Sequence, residues 1–257
     1  MSDVWVCVPS KRPAEHVRKW AAAWRERGYK IALWVDRISG HDLDCADCWG
    51  GCDDYPGYAV ATNKLIQHVV KDRGARWCVI GGDDVYPDPN HTASEIAQQC
   101  EAHFGLIGAL METTVNYWRV MTGDEHSTFG VMQPTGDRWQ EGMGGFDNAP
   151  IDRICGSAWL GREFCERING GRGPLWPEFT HMHVDEALQC VAEKLGILWQ
   201  RRDLTQLHNH WARGDGKTRA DMPEFLAEAN SAAHWQKSLG ILERLKAEGF
   251  KQYLEMK

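Results

Sequence analysis

The chain lacks an uninterrupted apolar run of about 18 residues, the length that a membrane-spanning helix needs. We therefore expect no membrane span. Residues 1–9 contain neither the basic region nor the long apolar stretch of a secretory signal peptide. We expect a protein that is made and kept in the cytoplasm.

The chain also has no excess of positive charge. It contains 29 Lys and Arg residues and 36 Asp and Glu residues, which gives a net charge of −7. This balance argues against a protein that coats nucleic acid nonspecifically, although it leaves room for a local basic groove. Internal repeats and a Gly-x-Ser-x-Gly sequence are absent, so a repeat architecture and a serine hydrolase of that type are unsupported. The Gly-rich stretch 169–174 lacks the Lys-Ser/Thr ending of a phosphate-binding P-loop.

The apolar pattern of the 257 residues predicts an α/β fold. Strands are expected at 4–8, 30–36 and 75–80, helices at 14–27 and 59–73, and a loop at 37–57. Alternating strands and helices are typical of a mainly parallel sheet with helices on its faces. Further along, we expect helices at 92–103, 161–168, 223–232 and 234–248, and a helix beginning at Asp185. Strands are expected at 104–108 and 197–199, and residues 154–160 are expected as a strand or a turn.

Polar side chains follow the first three predicted strands at the point where each strand ends. Ser10, Lys11 and Arg12 follow the first strand, Asp36 ends the second, and Asp83 with Asp84 follows the third. Ligands of open parallel sheets bind beyond the carboxyl ends of the strands. These positions would supply a cation for phosphates, an acid for a ribose or base, and two carboxylates for a metal.

Asp83 and Asp84 repel each other and need a counter-charge. Mg²⁺ or Mn²⁺ bridged to a diphosphate would supply it. The alternative is a solvated turn in which one aspartate caps the helix that begins near Thr92.

Two later segments carry further candidates. Asp185 and Glu186 lie at a predicted helix start, where they are either simple amino-terminal acids or a general base. His208 and His210 alternate on an extended stretch and therefore share a face, where an imidazole would be a third ligand for a Mn²⁺-type ion. The alternative is a surface loop with incidental histidines.

A cluster of one histidine and three cysteines forms a candidate structural Zn²⁺ site. The residues are His41, Cys45, Cys48 and Cys52, and the Cys-x2-Cys spacing is suitable for zinc. The alternative is free thiols in a loop.

Taken in order, these segments resemble a GT-A-fold, nucleotide-sugar-dependent glycosyltransferase of bacterial or phage type. The matching segments are Val-Pro-Ser-Lys-Arg-Pro at 8–13, Trp-Val-Asp at 34–36, Gly-Gly-Asp-Asp-Val-Tyr-Pro-Asp-Pro at 81–89, Gly-Ser-Ala-Trp-Leu-Gly at 156–161, Val-Asp-Glu-Ala-Leu at 184–188 and His-Asn-His at 208–210. The resemblance covers residues 1–211 and implies a Rossmann-like GT-A domain with a mixed, mainly parallel sheet. Residues 212–257 are expected as a helical tail packed on that domain.

The resemblance also implies roles for individual residues. The metal and diphosphate fall on Asp83 and Asp84, although the family's Asp-x-Asp pattern is replaced here by adjacent acids. The nucleotide-sugar site is expected at Pro9, Ser10, Lys11, Arg12, Asp36 and Asp83. The base of an inverting enzyme matches Asp185 or Glu186, and the late metal-binding histidine matches His210, with His208 as the second choice.

The implied reaction is transfer of a sugar from a UDP-sugar to an acceptor hydroxyl, with Mn²⁺ or Mg²⁺. Acceptors for enzymes of this kind include polysaccharide, protein and hydroxymethylated bases in DNA, the last a DNA modification that a phage enzyme would perform in the host cytoplasm. Basic residues suited to an acidic acceptor such as DNA follow the predicted catalytic helix, at Arg201, Arg202, Arg213, Lys217 and Arg219.

Two other functions remain open at this stage. One is a zinc-stabilised nucleic-acid-binding module without catalysis. The other is a metal-dependent phosphohydrolase that holds two ions between the acid pair 83–84 and the histidines His208 and His210.

Overall fold

The computed structural model describes residues 3–35, 43–114, 127–138, 156–213, 222, 224–227 and 230–257. The strands are β1 Val4–Ser10, β2 Lys30–Val35, β3 Cys48–Gly51, β4 Trp77–Val79, β5 Val85–Tyr86, β6 Val131–Pro134, β7 Trp159–Gly161, β8 Leu198–Arg201 and β9 Leu207–His208. The helices are α1 Ala14–Glu26, α2 Tyr58–Arg73, α3 Ala93–Thr114, α4 Arg162–Arg167, α5 Val184–Lys194, α6 Glu224–Ala227 and α7 Ala232–Ala247, with a 3₁₀ turn at Ile168–Gly171.

A seven-stranded sheet runs through the molecule in the order β3-β2-β1-β4-β7-β6-β8. β4 is the middle strand, and its neighbour β1 pairs in parallel with both β2 and β4. β7 is antiparallel to β4 and to β6, and β8 is parallel to β6. The predicted α/β class and the mixed, mainly parallel sheet are therefore confirmed, and the sheet is compatible with a Rossmann-like fold.

Two apolar clusters, one on each face of the sheet, form the core. Side chains of β1 alternate between them, because successive residues of a strand point to opposite faces. Val4, Val6 and Val8 join a cluster with α1 and α3, which we call the α1 cluster. Trp5 and Cys7 join a cluster with α2, α4, α5 and α7, which we call the α2 cluster. Burial on both faces explains why the strands are continuous apolar runs.

The carboxy-terminal helix α7 shares this core. Leu242 and Leu245 of α7 belong to the α2 cluster, together with Phe250 and Tyr253 from the residues that follow. The Tyr253 hydroxyl donates a 2.5 Å hydrogen bond to the Pro174 carbonyl oxygen. The expected domain boundary at residue 211 stays a prediction, but α7 is integral to the packing.

Two predictions for individual elements are wrong. Residues 104–108 do not resume the sheet but continue α3, and Phe104 packs 5.8 Å from the Trp77 ring. A short apolar run with glycines fits a buried helix as well as a strand. The predicted loop 37–57 contains β3, which pairs with β2 at the edge of the sheet although its apolar pattern is weak.

In the described part of the chain, neither α3 nor another helix is long and apolar enough to cross a membrane.

Gly161 provides a test of how tightly β7 is packed. A Cβ atom there would overlap the carbonyl oxygen of Thr128, whereas a Cβ at the exposed Gly240 of α7 would meet nothing within 4 Å. We expect Gly161→Ala to lower the free energy of unfolding by about 1–3 kcal/mol. Gly240→Ala should raise it by about 0.5–1 kcal/mol, because alanine is the better helix former. Urea unfolding of both variants measures this, and equal effects would contradict the packing described for β7.

Candidate active site

A cleft of about 710 Å³ opens at the carboxyl ends of β1, β4 and β6, within the size range of small-ligand sites. Most predicted site residues line it together, namely Pro9, Ser10, Lys11, Arg12, Asp83, Asp84, Asp185, His208 and His210. Asp36 lies outside the described residues. Residues from four separate segments of the sequence thus meet where an open parallel sheet binds its ligands.

Arg12 neutralises the acid pair. Its Nε lies 2.9 Å from Oδ1 of Asp83, and its Nη2 lies 3.5 Å from Oδ2 of Asp84. Ser10 donates a 2.5 Å hydrogen bond to the other oxygen of Asp83. Both oxygens of Asp83 are therefore engaged by residues from the end of β1, and Asp84 is the more available carboxylate.

The turn that carries the acid pair is held by α1. The indole nitrogens of Trp20 and Trp24 donate to the Val85 carbonyl oxygen at 2.8 and 3.0 Å. His16 Nε2 lies 2.9 Å from the Asp83 carbonyl oxygen. Gly82 is required inside the turn, because a Cβ there would overlap the Asp84 carboxylate. The backbone of the acid pair is thus fixed before any ligand binds.

A second, two-stranded sheet brings the histidines to Asp84. β5 directly follows the acid pair and pairs with β9, so that Val85 lies opposite His208. The backbone N–H of Asn209 donates to the Asp84 carbonyl oxygen at 2.7 Å. As a result, Nε2 of His208 lies 3.5 Å from Oδ1 of Asp84.

His210 is half-buried, like His208. Burial, together with the neighbouring His208, lowers the pKa of His210 to about 4, so its imidazole is neutral at neutral pH. Its Nδ1 accepts a 3.2 Å hydrogen bond from the backbone N–H of Ala212. The geometry therefore favours His208 over His210 as the first nitrogen beside Asp84, the reverse of the order that the resemblance implies.

Asp84 and His208 fit the spacing of two ligands on one cation. Neighbouring ligands of an octahedral ion at about 2.1 Å lie about 3 Å apart, close to the observed 3.5 Å. Among the described residues, no group of three or more His, Cys, Asp or Glu side chains is arranged to hold a metal ion by itself. Mg²⁺ is commonly held by one or two carboxylates plus substrate phosphates and water, so a pair of protein ligands is compatible with it.

The two acids at the start of α5 have different surroundings. Asp185 lines the cleft, and burial raises the pKa of its carboxyl although the Glu186 N–H donates to it at 2.9 Å. Glu186 lies outside the cleft lining, 3.2 Å from the Lys246 ammonium and 3.1 Å from His183 Nδ1. Burial alone would raise the Glu186 pKa, but these two partners lower it. Asp185 is the better candidate for a base.

The candidate zinc residues are spread over the two faces of the sheet. Cys45 belongs to the α1 cluster and Cys48 to the α2 cluster. The Cys52 thiol donates a 2.7 Å hydrogen bond to the Asp54 carbonyl oxygen. His41 lies outside the described residues, and the zinc site stays a prediction.

The basic residues proposed for an acidic acceptor are partly used in structural contacts. Arg201 is buried, pairs with Asp203 and donates to Gln99. Arg213 pairs with Asp137. Lys217 and Arg219 lie outside the described residues. Arg201 is therefore not part of an exposed basic groove.

Several residues that line the cleft were not predicted from the sequence to be part of a site, among them Tyr55, Tyr58, Asp137, Gln206, Asn230 and His234. Asp137 accepts a 2.7 Å hydrogen bond from the His208 N–H, across 71 residues of chain. Tyr58 begins α2, where its N–H donates to the Thr180 carbonyl oxygen at 2.7 Å. Such contacts leave no local pattern in the sequence. Tyr55 was detectable as an aromatic residue beside Pro56 and Gly57 in a loop after a strand.

Comparison with the models of known protein families finds no match. Comparison with curated protein sequences finds no significant similarity either. The chemistry of the cleft is therefore the basis for a functional proposal.

Asp185 provides a test of the cleft's electrostatics. A raised carboxyl pKa means that the folded protein binds protons more tightly than the unfolded chain, so this residue's contribution to stability falls as the pH rises through the shifted pKa. We expect Asp185→Asn, which keeps an oxygen for the Glu186 N–H, to be more stable than the wild type at pH 7. The difference should vanish in acid, below the ordinary Asp pKa of about 3.9. Urea unfolding across pH measures it, and a less stable variant at pH 7 would contradict the raised pKa.

Proposed function

We propose that this protein is a metal-dependent glycosyltransferase of GT-A type, which moves a sugar from a UDP-sugar to an acceptor hydroxyl. One observation carries the proposal. The loop after β1, the acid pair after β4, the acid at the start of α5, and the two histidines at the end of β9 and just after it all line a single cleft. The mixed sheet, parallel except for β7, agrees with the GT-A arrangement that the resemblance implies.

The donor diphosphate is assigned to the part of the cleft that lies beside Arg12 and Asp84. Arg12 and Lys11 bring positive charge to it, and Asp84 with His208 offers oxygen and nitrogen to Mn²⁺ or Mg²⁺. When bound, such an ion would neutralise the negative charge that develops on the departing nucleotide. Ser10 and Arg12 hold Asp83 so that it positions the arginine.

The uridine is assigned to the side of the cleft beyond β2 and β3. Tyr55 lines this side, has about a third of its surface exposed (36%), and lies 5.2 Å below the Lys11 ammonium. A partly exposed aromatic ring is suited to stack on a flat base. Asp36, which the resemblance assigns to the nucleoside, follows β2 directly in the sequence and keeps that role in the proposal.

The acceptor is activated by Asp185. A carboxylate with a raised pKa takes a proton from a hydroxyl more readily than an ordinary aspartate does. If the enzyme inverts configuration, Asp185 accepts this proton as the acceptor oxygen attacks the sugar. Polysaccharide, protein and a hydroxymethylated DNA base all carry a suitable hydroxyl.

A two-ion phosphohydrolase would use the same acids and histidines. Arg12 argues against it, because the guanidinium pairs with both Asp83 and Asp84. This pairing removes negative charge that a site for two divalent ions needs. The products also differ, since a phosphohydrolase releases phosphate or sugar phosphate and a transferase releases UDP.

The assay measures free nucleotide released from a panel of UDP- and GDP-sugars, with Mn²⁺, with Mg²⁺ or with EDTA. We expect release of UDP that EDTA abolishes. Asp84→Asn should lower kcat about 100-fold or more, because charge stabilisation at the leaving group is lost. Asp72→Asn is the matched control, because Asp72 pairs with His68 on the surface of α2, 2.8 Å away and outside the cleft.

Three outcomes would count against this function. Nucleotide release that persists in EDTA would exclude a metal ion from the reaction. Phosphate or sugar phosphate as the product would favour the hydrolase. Absence of nucleotide release and of metal-dependent UDP binding would reject the transferase.

Asp185→Asn separates proton transfer from donor binding. We expect kcat to fall about 100-fold to 10,000-fold, as for loss of a general base, while the KM for the donor stays similar. The acid limb of the wild-type pH profile should lie above the range of an ordinary aspartate, because burial raises the Asp185 pKa. An unchanged kcat in the variant would exclude Asp185 as the general base.

A further inference from the structure

His183 has a backbone conformation that its residue type rarely adopts. It is the residue before α5, with φ 61° and ψ 2°, in the left-handed region. A non-glycine residue in this region costs about 1 kcal/mol or more and persists only where its surroundings hold it. The conformation places the His183 side chain in the lining of the cleft, two residues before Asp185.

The ring of His183 is held by a chain of charged groups. Its Nδ1 lies 3.1 Å from Oε2 of Glu186, and Oε1 of Glu186 lies 3.2 Å from the Lys246 ammonium of α7. Edge-to-face packing on Trp235, with ring centroids 4.6 Å apart, restrains the ring from another side. A carboxylate accepts hydrogen bonds and cannot donate them when ionised, so Nδ1 must carry the proton that faces Glu186.

The second ring nitrogen has no partner among the residues that the structure describes. The His183 side chain is only 10% exposed, and its Nε2 is buried without a hydrogen bond to the described residues. Leaving a buried polar atom unsatisfied costs about 1–3 kcal/mol, so such an atom calls for an explanation. With the proton on Nδ1, neutral His183 offers Nε2 as a hydrogen-bond acceptor.

We propose that Nε2 of His183 accepts a hydrogen bond from the acceptor beside Asp185, through an O–H other than the one that Asp185 deprotonates, and that Glu186 positions His183 for this contact. The inference rests on the proposed transferase function and extends it to the acceptor side. The contact orients the acceptor through a neighbouring hydroxyl, or through the second O–H when water is the acceptor. Asp185 takes the proton of the attacking hydroxyl, while the oxygen of that hydroxyl forms the new bond to the sugar carbon and the bond to the diphosphate breaks. Glu186, which lies outside the cleft lining, thereby acts through His183.

The position of this contact places the acceptor between the start of α5 and the chain that leads into α7. Leu226, Asn230 and His234 also line the cleft, and Trp235, the neighbour of His234 in α7, packs on the His183 ring. Lys246 connects the same helix to Glu186. The carboxy-terminal part of the chain therefore forms the acceptor wall.

The first experiment tests the tautomer and requires no substrate. Protein with ¹⁵N-labelled histidine is examined by NMR at about pH 9, above the titration range of an ordinary imidazole, with His183→Gln to assign the signals. We expect a neutral ring with the proton on Nδ1 in the wild type, and loss of this preference in Glu186→Ala. A wild-type ring that carries its proton on Nε2 would overturn the proposal, whatever the reaction.

The second experiment uses the UDP-sugar that gives nucleotide release in the assay above, with water as the acceptor hydroxyl. We expect His183→Phe to lower kcat about 10-fold or more, because the hydroxyl is no longer oriented, with the donor KM unchanged within about two-fold. His183→Gln, whose amide oxygen can accept a hydrogen bond, should recover part of the loss. Glu186→Gln, whose amide oxygen can still accept from Nδ1, should lose less activity than Glu186→Ala.

The matched control is His68→Phe, because His68 makes the same imidazole–carboxylate contact with Asp72 outside the cleft. If His183→Phe keeps its kcat, or raises the donor KM as much as it lowers kcat, the assignment to the acceptor is overturned. Equal losses in His183→Gln and His183→Phe would also overturn it, because they indicate a purely structural role. If the wild type releases no nucleotide, the transferase proposal fails, and the tautomer experiment alone then decides the arrangement of His183.

Discussion

Two adjacent carboxylates at the end of a buried strand are electrostatically unfavourable unless positive charge lies close to them. In this protein Arg12 supplies that charge from the end of the neighbouring strand, at 2.9 Å from Asp83 and 3.5 Å from Asp84. The arrangement requires β1 and β4 to be parallel neighbours, since only then do both strands end at the same edge. The central pairing of the sheet and the charge balance of the cleft therefore depend on each other.

The same pairing leaves the two acids in different states. Asp83 is bonded by Ser10 and Arg12, whereas Asp84 faces His208 across 3.5 Å. The pKa of Asp84 is lowered, because contacts with His208 and Arg12 outweigh its burial. An ionised carboxylate beside an imidazole is the kind of ligand pair that a divalent cation uses. In the proposed function, Asp83 therefore has a positioning role and Asp84 is the carboxylate that would contact the metal and diphosphate.

Asp88 shows why some roles escape sequence analysis. It lies in the segment Pro87-Asp88-Pro89, which resembles part of a ligand loop, yet it is 1% exposed and bonded within the protein. Its carboxylate accepts hydrogen bonds from the N–H groups of Asn90 and His91, and from that of Thr205 at 2.6 Å. These contacts fasten the chain that carries β9 to the chain that carries β5. Asp88 therefore builds the site without lining it.

The sequence by itself determined the α/β class, the order of the first strands and helices, and the polar residues that end them, because apolar periodicity and local turn residues are short-range properties. It could not separate a strand from a helix at Phe104, where a short apolar run fits both. It could not rank Asp185 against Glu186, which are adjacent in the chain, and the resemblance placed His210 ahead of His208, the reverse of what the contact with Asp84 favours. Only the tertiary structure decided these, through Lys246 beside Glu186 and β5 beside β9. Burial and charge neighbours come from segments tens of residues away, and it is they that make one of two similar side chains chemically distinct.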